Sequence, residues 1–463
     1  MTTFWFRKLP LLLAQLSIAG LPLCAQEKQY TLPELADSAK LYFPQLLRKN
    51  AQLNFAKANV TDTKHQFLPT LRTTEELTAG TDNSLAGSFL TFGIIPSTSA
   101  GVRAENNARL ATGNIAALSA QYDLATFGYR GALLNRANAY VSLQQADARQ
   151  ELYYLEATIA RWYFNLLKYQ SKLKADAENI TRYESIFRVI KALAASGIRA
   201  GSDSSLAMAE LSRTKITYNQ TLGQVDNCRA NLSYLTGIAV YKMVIDSAAI
   251  KDLAIKPGWF SRPAGDASSP LLDYYRQLKN IALANEQLIS KSFLPKIVLT
   301  ATTWARGSSI AFNDQYKSAV YGLGYQRFNY LAGVSFQYDL FNGIHKRDKL
   351  NAYRFETAAG DLALRAQEQQ LNNAALQADN AIGTTEKNLR ELPIQLAAAR
   401  DTYNQKTAQY KAGIINVIDL TNAAYVLYRS MNDYAETIGD WYLAQLDKAV
   451  ATGYLDNFIQ AIK

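Results

Sequence analysis

The stretch from Ala132 to Ser196 contains no glycine and no proline. At about 1.5 Å per residue, a helix of this length is on the order of 100 Å long. Its apolar residues repeat every seven positions in two columns, which is the pattern of a coiled coil, and Asp176 interrupts the second column. The columns are Leu152, Ile159, Leu166, Leu173, Ile180, Phe187 and Ala194, and Leu155, Trp162, Tyr169, Tyr183 and Ile190. Such a seam requires long partner helices and predicts left-handed supercoiling.

A sharp reversal follows this run. Gly197 ends it, and Gly201, Ser202 and Asp203 come directly afterwards. Glycine adopts the left-handed backbone that closes many helices, while serine and aspartate cap the first turn of the next one. Beyond the reversal the apolar residues are again seven apart, at Leu211, Tyr218, Val225 and Leu232. The sequence therefore predicts that a second long helix runs back along the first.

The same order of features occurs twice in the chain. Phe67-Leu68-Pro69 reappears as Phe293-Leu294-Pro295, and Gln121-Tyr122-Asp123-Leu124 reappears as Gln337-Tyr338-Asp339-Leu340. The offset between the two Gln-Tyr-Asp-Leu segments also relates Gly197 to Gly413, Asp203 to Asp419 and Thr236 to Thr452. A match of this kind indicates a tandem duplication and two structural repeats.

The duplication divides the chain into residues 26–237 and residues 271–463, each with a helix, a β-hairpin and a long helical hairpin. The connector between them, residues 238–270, contains Pro257 and Gly258, and we expect little regular structure there. The second long run differs from the first because it contains Pro393, which predicts a kink or a local break in its hydrogen bonding.

Segments with alternating polarity precede each long helix. From Tyr330 to Leu340 the even-numbered residues are apolar or aromatic, and the odd-numbered ones, except Leu331, are small or polar. In a soluble sheet the apolar face would cover a core, whereas in a transmembrane barrel it would face lipid. The many aromatic residues of this hairpin fit an interfacial girdle and equally fit a core. Four strands cannot close a barrel alone, so a membrane-spanning sheet requires several chains.

The N-terminus is typical of a secretory signal peptide, residues 1–25. Two basic residues precede the apolar stretch Leu9–Leu23, and Cys24-Ala25-Gln26 offers a cleavage site after Ala25. Lipid attachment at Cys24 is the competing interpretation. Cleavage after Ala25 leaves Cys228 as the single cysteine, so the mature chain has no internal disulfide, and Cys228 is predicted to be a small seam residue.

The remaining composition excludes several classes of function. No run of about 18 apolar residues follows the signal, so no transmembrane helix is predicted. The net charge of +10 comes from basic residues scattered between acids, whereas nucleic-acid binding requires a cluster. His65 and His345 lie far apart, and neither a phosphate loop nor a metal-spaced ligand set is present. We therefore expect no enzyme, no cofactor, no metal site and no nucleic-acid partner.

With helix, hairpin, long helix, glycine turn and returning helix present twice, the chain resembles the TolC family of outer-membrane efflux and export channels. The duplicated glycine turns and the Phe-Leu-Pro segments carry the resemblance. It implies a membrane α/β fold in which four strands per chain of a homotrimer form a twelve-stranded outer-membrane β-barrel, continued by a long periplasmic α-helical coiled-coil barrel. It also implies a Gram-negative outer membrane and the passive exit duct of a tripartite efflux or type I export system. The implied partners are a periplasmic adaptor (membrane fusion) protein, an inner-membrane pump and outer-membrane lipid.

By resemblance, the two glycine turns are the periplasmic tips that meet the adaptor. This makes Gly197, Ile198, Gly413 and Ile414 the candidate adaptor contacts. Tight turns alone would explain each glycine. They would not explain the isoleucine that follows both.

In the family, the tips also form the gate. Asp203 and Tyr410 stand where a gate contact is made, and Asp419 stands at a position of the acidic ring. The family's arginine partner is here Ile415, and the second ring acid is Asn422. The alternative is that both aspartates are ordinary N-cap residues and that Tyr410 packs in the seam.

A second hypothesis, of a different class, is a periplasmic coiled-coil scaffold or adhesin without channel activity, whose strands form a soluble domain. A third is a channel for protein secretion instead of small molecules. The sequence does not predict whether the substrate is a drug, a metal or a protein, because the pump and the adaptor largely determine substrate specificity.

Overall fold

The computed structural model describes residues 29–84, 104–198, 200–245 and 269–462. The predicted signal peptide with Cys24, and residues 246–268 of the predicted connector, lie outside these ranges. The helices are α1 (Leu32–Tyr42), α2 (Pro44–His65), α3 (Tyr129–Ala195), α4 (Gly201–Thr236), α5 (Pro270–Ser292), α6 (Asn342–Lys411), α7 (Val417–Thr452) and α8 (Leu455–Ala461). The strands are β1 (Gln29–Tyr30), β2 (Thr70–Gly80), β3 (Ala111–Ala125), β4 (Val244–Ile245), β5 (Lys296–Ser308) and β6 (Arg327–Gln337).

The two long helices are of nearly equal length, as the duplication predicts. Helix α3 has 67 residues and α6 has 70, and the returning helices α4 and α7 have 36 each. The helical backbone of α6 continues through Pro393, so the proline does not end the helix. Packing against neighbouring helices holds the backbone on both sides of a position that cannot donate a hydrogen bond. Among the described helices, none has an apolar stretch sufficient to cross a lipid bilayer.

The main hydrophobic core surrounds the middle of α3. Residues from α1, α4, α7 and α8 bury their apolar side chains there. The ring of Phe164 lies parallel to that of Tyr442 on α7, with 5.3 Å between the ring centroids. A row of ion pairs borders this core and joins the repeats: Arg161 to Asp447, Lys168 to Asp440 (3.2 Å), and Lys172 to Glu436 (3.1 Å).

Part of the connector has more order than the sequence predicts. A single helical turn spans Val240–Lys242, and β4 pairs in parallel with β1, where Gln29 lies beside Val244 and Tyr30 beside Ile245. Met243 and Ile245 are buried in the main core. The first described residues of the chain are thus held against the end of the first repeat.

The other four strands form one antiparallel sheet in the order β2-β3-β5-β6. Because side chains alternate along each strand, the register assigns every residue to one of two faces. The apolar face, defined here by its large residues, holds Leu71, Leu77, Leu118, Tyr122, Ile297, Leu299, Phe328, Tyr330, Val334 and Phe336. The polar face holds the charged residues Arg72, Glu76, Asp123, Lys296, Arg306 and Arg327. The alternation predicted for 330–340 therefore extends across all four strands.

The apolar face carries one charged residue among its described strand positions, Glu75. Tyr325 donates a hydrogen bond from its hydroxyl to the Glu75 carboxylate (2.8 Å). The segment containing Tyr325 connects β5 to β6 and packs on the end of β3, where the Asn114 side chain donates to the Leu323 carbonyl oxygen (2.8 Å). This hairpin is consequently fixed at the end of the sheet that is remote from the long helices.

Candidate functional site at the helical tips

Both long helices end in the same hydrogen-bonded turn. Gly197 and Gly413 adopt left-handed backbone, with φ of 74° and 77°. The amide of Ile198 donates to the Leu193 carbonyl oxygen at 3.0 Å, and the amide of Ile414 donates to Gln409 at 2.9 Å. The glycine amides donate to Ala194 and Tyr410 in the same way. This bond pattern is a Schellman motif, which satisfies the last carbonyl groups of a helix and favours glycine at this position.

The isoleucines after these glycines point away from the chain. Ile198 is 67% exposed and Ile414 is 73% exposed. The residue at this position of a Schellman motif commonly packs back on its own helix. Neither isoleucine is buried in that way, so each tip presents a branched apolar side chain to its surroundings.

The two aspartates lie in the first turn of the returning helices, but they are not N-caps. The N-cap residue of α4 is Ala200, and that of α7 is Asn416, whose side-chain oxygen accepts a hydrogen bond from the Asp419 amide (2.9 Å). The N-cap interpretation of Asp203 and Asp419 is therefore wrong, because both are the third residue of their helix. Their carboxylates stand near the positive end of a helix dipole, which stabilises negative charge.

Tyr410 is enclosed by both repeats. Only 2% of it is exposed, and it belongs to a second hydrophobic cluster near the tips. This tip cluster comprises Tyr183, Ile186, Ile190, Ala207, Leu211, Tyr410, Val417, Leu420 and Ala424. Asp203 lies one helical turn before Ala207, at the edge of the same cluster. The structure thus brings Tyr410 and the first turn of α4 to one region.

Further contacts between the repeats involve residues that the sequence analysis did not single out. Tyr183 donates from its hydroxyl to the Thr421 carbonyl oxygen (3.3 Å), and burial raises the pKa of Tyr183 to about 12. The Arg182 guanidinium lies 5.4 Å from the ring centroid of Tyr403 on α6. Burial lowers the pKa of Arg182. Arg182 directly precedes a seam residue, but its partner on α6 is set by tertiary packing.

Asp176, the polar break in the seam of α3, faces α7. It is 2% exposed, and Tyr428 donates a hydrogen bond to one of its carboxylate oxygens (2.6 Å). The other oxygen has no hydrogen-bond partner among the described residues. Burial and the Asp176 carboxylate raise the pKa of Tyr428. The polar break therefore marks a contact between the two repeats.

Cys228 lies in the main core, where burial raises the pKa of its thiol to about 11. It packs as the small seam residue that the sequence predicts. Within the described ranges, no three His, Cys, Asp or Glu side chains are grouped as a metal ion would require.

The comparison with known proteins agrees with this geometry. The family model described as outer membrane efflux protein matches residues 35–238 and 267–453. Among solved structures, the outer-membrane channel OprN is 18% identical with a TM-score of 0.73, covering 91% of this chain and 89% of OprN. CmeC from Campylobacter jejuni, an outer membrane channel, is 14% identical with a TM-score of 0.73 (93% and 89%). VceC from Vibrio cholerae, an outer membrane protein, is 13% identical with a TM-score of 0.72 (91% and 96%). No curated protein matches the sequence.

Proposed function

Because the chain belongs to the outer membrane efflux protein family, we propose that it acts as a homotrimeric exit duct fed by a periplasmic adaptor and an inner-membrane pump. Family membership assigns it to the outer membrane, with its helices extending into the periplasm. The observation that carries the trimeric part of the proposal is the sheet. Among the described residues, it has one apolar face and two edge strands that pair on one side only.

The edge strands argue for assembly through the sheet. Both β2 and β6 have 11 residues, all exposed, and within the described ranges each pairs with one neighbouring strand. A strand of 9 to 11 residues is about long enough to cross the hydrocarbon core of a bilayer. In lipid, the unpaired N–H and C=O groups of a free edge would be strongly destabilising. The edges are satisfied if β6 of one protomer pairs with β2 of the next, and three chains then supply a closed twelve-stranded barrel.

The two-repeat division of the chain is part of the proposal. Residues 26–237 and 271–463 would form the two repeats, joined by the connector 238–270. The two segments matched by the family, residues 35–238 and 267–453, support this division. In a trimer, the two repeats of each chain would contribute six equivalent helical hairpins to the periplasmic conduit.

We propose that the helical tips both contact the adaptor and form the gate of the channel. Gly197, Ile198, Gly413 and Ile414 would meet the adaptor, and the exposure of both isoleucines supports this role. Asp203, Tyr410 and Asp419 would form the gate. The burial of Tyr410 between the repeats supports it, because separating the two hairpins at the tip would expose that ring.

The proposal is tested by assembly and conductance of the full-length protein. We expect a trimeric mass in detergent and ion conductance in planar bilayers. A monomer without conductance would contradict it. Washing membranes with carbonate or urea tests the alternative scaffold or adhesin, since a protein attached only through soluble contacts would be released and the duct would remain.

A further inference from the structure

Two arginines face each other on the polar face of the sheet. Arg306 on β5 is the direct antiparallel partner of Arg327 on β6, at the end of the sheet remote from the long helices. Side chains directly opposite in this way have Cβ atoms about 5 Å apart, and like charges there are destabilising. The pair therefore favours a negative charge between or above the two guanidinium groups.

No carboxylate in the described part of the chain pairs with either arginine. Arg327 donates from Nη1 to the Gln326 carbonyl oxygen (2.9 Å), and neither side chain makes an ion pair. Glu76 lies in the same row across the sheet, but Ile115 stands between Glu76 and Arg306. Two strand spacings, about 10 Å, therefore separate their backbones. Both guanidinium groups are exposed and retain most of their donors.

A buried donor without an acceptor lies on the same face. Trp304 precedes Arg306 by two residues on β5, so its indole projects to the same side, opposite Asn329. The indole Nε1 is buried and has no hydrogen-bond partner among the described residues. Because this nitrogen is buried, a solute on the polar face contacts the indole ring and not Nε1.

The hairpin that connects β5 to β6 adds positive charge at the same end of the sheet, above its apolar face, where the side chains of Thr112 and Asn114 contact it. Lys317 Nζ lies 3.9 Å from the ring centroid of Tyr321. A hydrogen bond and the charge of Lys317, together with the charge of Arg327, lower the pKa of Tyr321. A phenol with a lowered pKa indicates a positive potential at this end of the sheet.

We propose that Arg306, Arg327 and Trp304 bind an oxyanion, the phosphate or carboxylate group of a solute passing along the polar face. The guanidinium fork matches two oxygens of such a group, and the indole ring of Trp304 supplies an apolar wall beside it. The route of the solute rests on the proposed function. The binding site itself rests only on the sheet.

Binding is measured by calorimetric titration of pyrophosphate into the full-length protein in phosphatidylcholine nanodiscs. We expect saturable binding, with affinity lowered about tenfold or more by Arg306→Gln and by Arg327→Gln, since each removes a charged donor. Lys296→Gln is the matched control: it removes one positive charge from the same face of β5 at the opposite end. Its affinity should equal that of the wild type. Pyrophosphate should also shift tryptophan emission, and Trp304→Phe should abolish that shift.

Three outcomes would overturn the site: no binding to the wild type, an equal loss in Lys296→Gln, or an emission shift that persists in Trp304→Phe. Arg306→Lys keeps the positive charge but loses the forked guanidinium. If the glutamine variants fail to fold, this variant should still fold, and it should bind pyrophosphate weakly. A response only in nanodiscs containing phosphatidic acid would assign the site to a lipid headgroup and overturn the pore-side assignment. A non-conducting monomer that still binds pyrophosphate would refute the duct and leave the site intact.

Discussion

At the residue scale, the tip glycines are defined by backbone conformation. Gly197 and Gly413 were predictable, because a glycine that ends a long helical run twice indicates a left-handed cap. The N-cap residue of each returning helix could not be predicted from the sequence. Asp203 and Asp419 are good capping types, yet the helices begin two residues earlier, after Ala200 and Asn416. The turn geometry decides which residue occupies the N-cap position, and in α4 that residue is an alanine without a capping side chain.

Replacing Gly197 or Gly413 with alanine should destabilise the tips. A left-handed alanine costs roughly 1–2 kcal/mol, and the smaller entropy of its unfolded chain offsets only part of this. Urea unfolding and hydrogen exchange of the tip amides measure the effect. Gly223→Ala is the control, since Gly223 lies inside α4 with open space around it and should gain about 0.5–1 kcal/mol. Equal effects at Gly197 and Gly223 would contradict the left-handed requirement.

Replacing Ile198 and Ile414 together with serine should weaken capture of the proposed periplasmic adaptor without changing the stability of the proposed trimer. Both side chains are exposed, so little folding energy depends on them. Cross-linking to the adaptor in membranes measures the contact. Ile216→Ser removes another exposed isoleucine, 58% accessible, from α4 away from the tip and should leave capture unchanged. Unchanged capture in the double variant would exclude these residues as the contact.

Asp419→Asn should reduce the cation selectivity of the channel. Three copies of Asp419 at one level would attract cations, and the amide removes that charge while keeping its shape. Reversal potentials in a salt gradient measure the selectivity. Asp401→Asn removes an exposed charge from α6 farther from the tip and should have a smaller effect. A reversal potential identical to that of the wild type would show that Asp419 is not part of the gate.

At the element scale, the length and order of the helices could be predicted from the sequence. Which helices pack against each other could not. The run predicted from the sequence begins at Ala132, three residues after the observed start of α3 at Tyr129. The agreement is close because periodicity is a local property of the chain. The contact of α3 with α7 was not visible in the seam. Asp176 interrupts the apolar column because it meets Tyr428 on that helix. A polar residue in a seam shows only that something polar faces it.

The ion-pair row between α3 and α7 should be measurable by charge reversal. Lys168→Asp places like charges beside Asp440 and should weaken the docking of the repeats, and adding Asp440→Lys should restore it. The coupling in a double-mutant cycle should be about 0.5–1 kcal/mol, as for other partly exposed pairs. The same exchange at Arg213 and Glu210, neighbours within α4, should leave the docking of the repeats unchanged. A coupling near zero for Lys168 and Asp440 would show that apolar packing alone joins the repeats.

At the scale of the whole molecule, the buried cores should make the protein sensitive to alkali. Burial raises the pKa of Cys228 from 9.0 to about 11, and those of Tyr183 and Tyr442 from 10.0 to about 12. Between these limits the unfolded chain has lost protons that the folded chain retains. The free energy of unfolding therefore falls as pH rises from about 9 towards 12.

This is checked by urea unfolding across that pH range in detergent. Cys228→Ala removes one of the titrating groups and should make the decline less steep between pH 9 and 11. If the slope of the variant equals that of the wild type, the thiol is not protected from ionisation in the folded protein.

The sequence by itself determined the duplication, the four long helices, the glycine tips and the alternation of the strands. These features depend on residue type and spacing along the chain, so they can be read locally. Only the tertiary structure decided that Tyr410 is buried, that Asp176 meets Tyr428 and that Arg306 lies opposite Arg327. Each of these depends on the register between segments far apart in sequence. That register is set by the packing of whole helices and strands, which no single segment encodes.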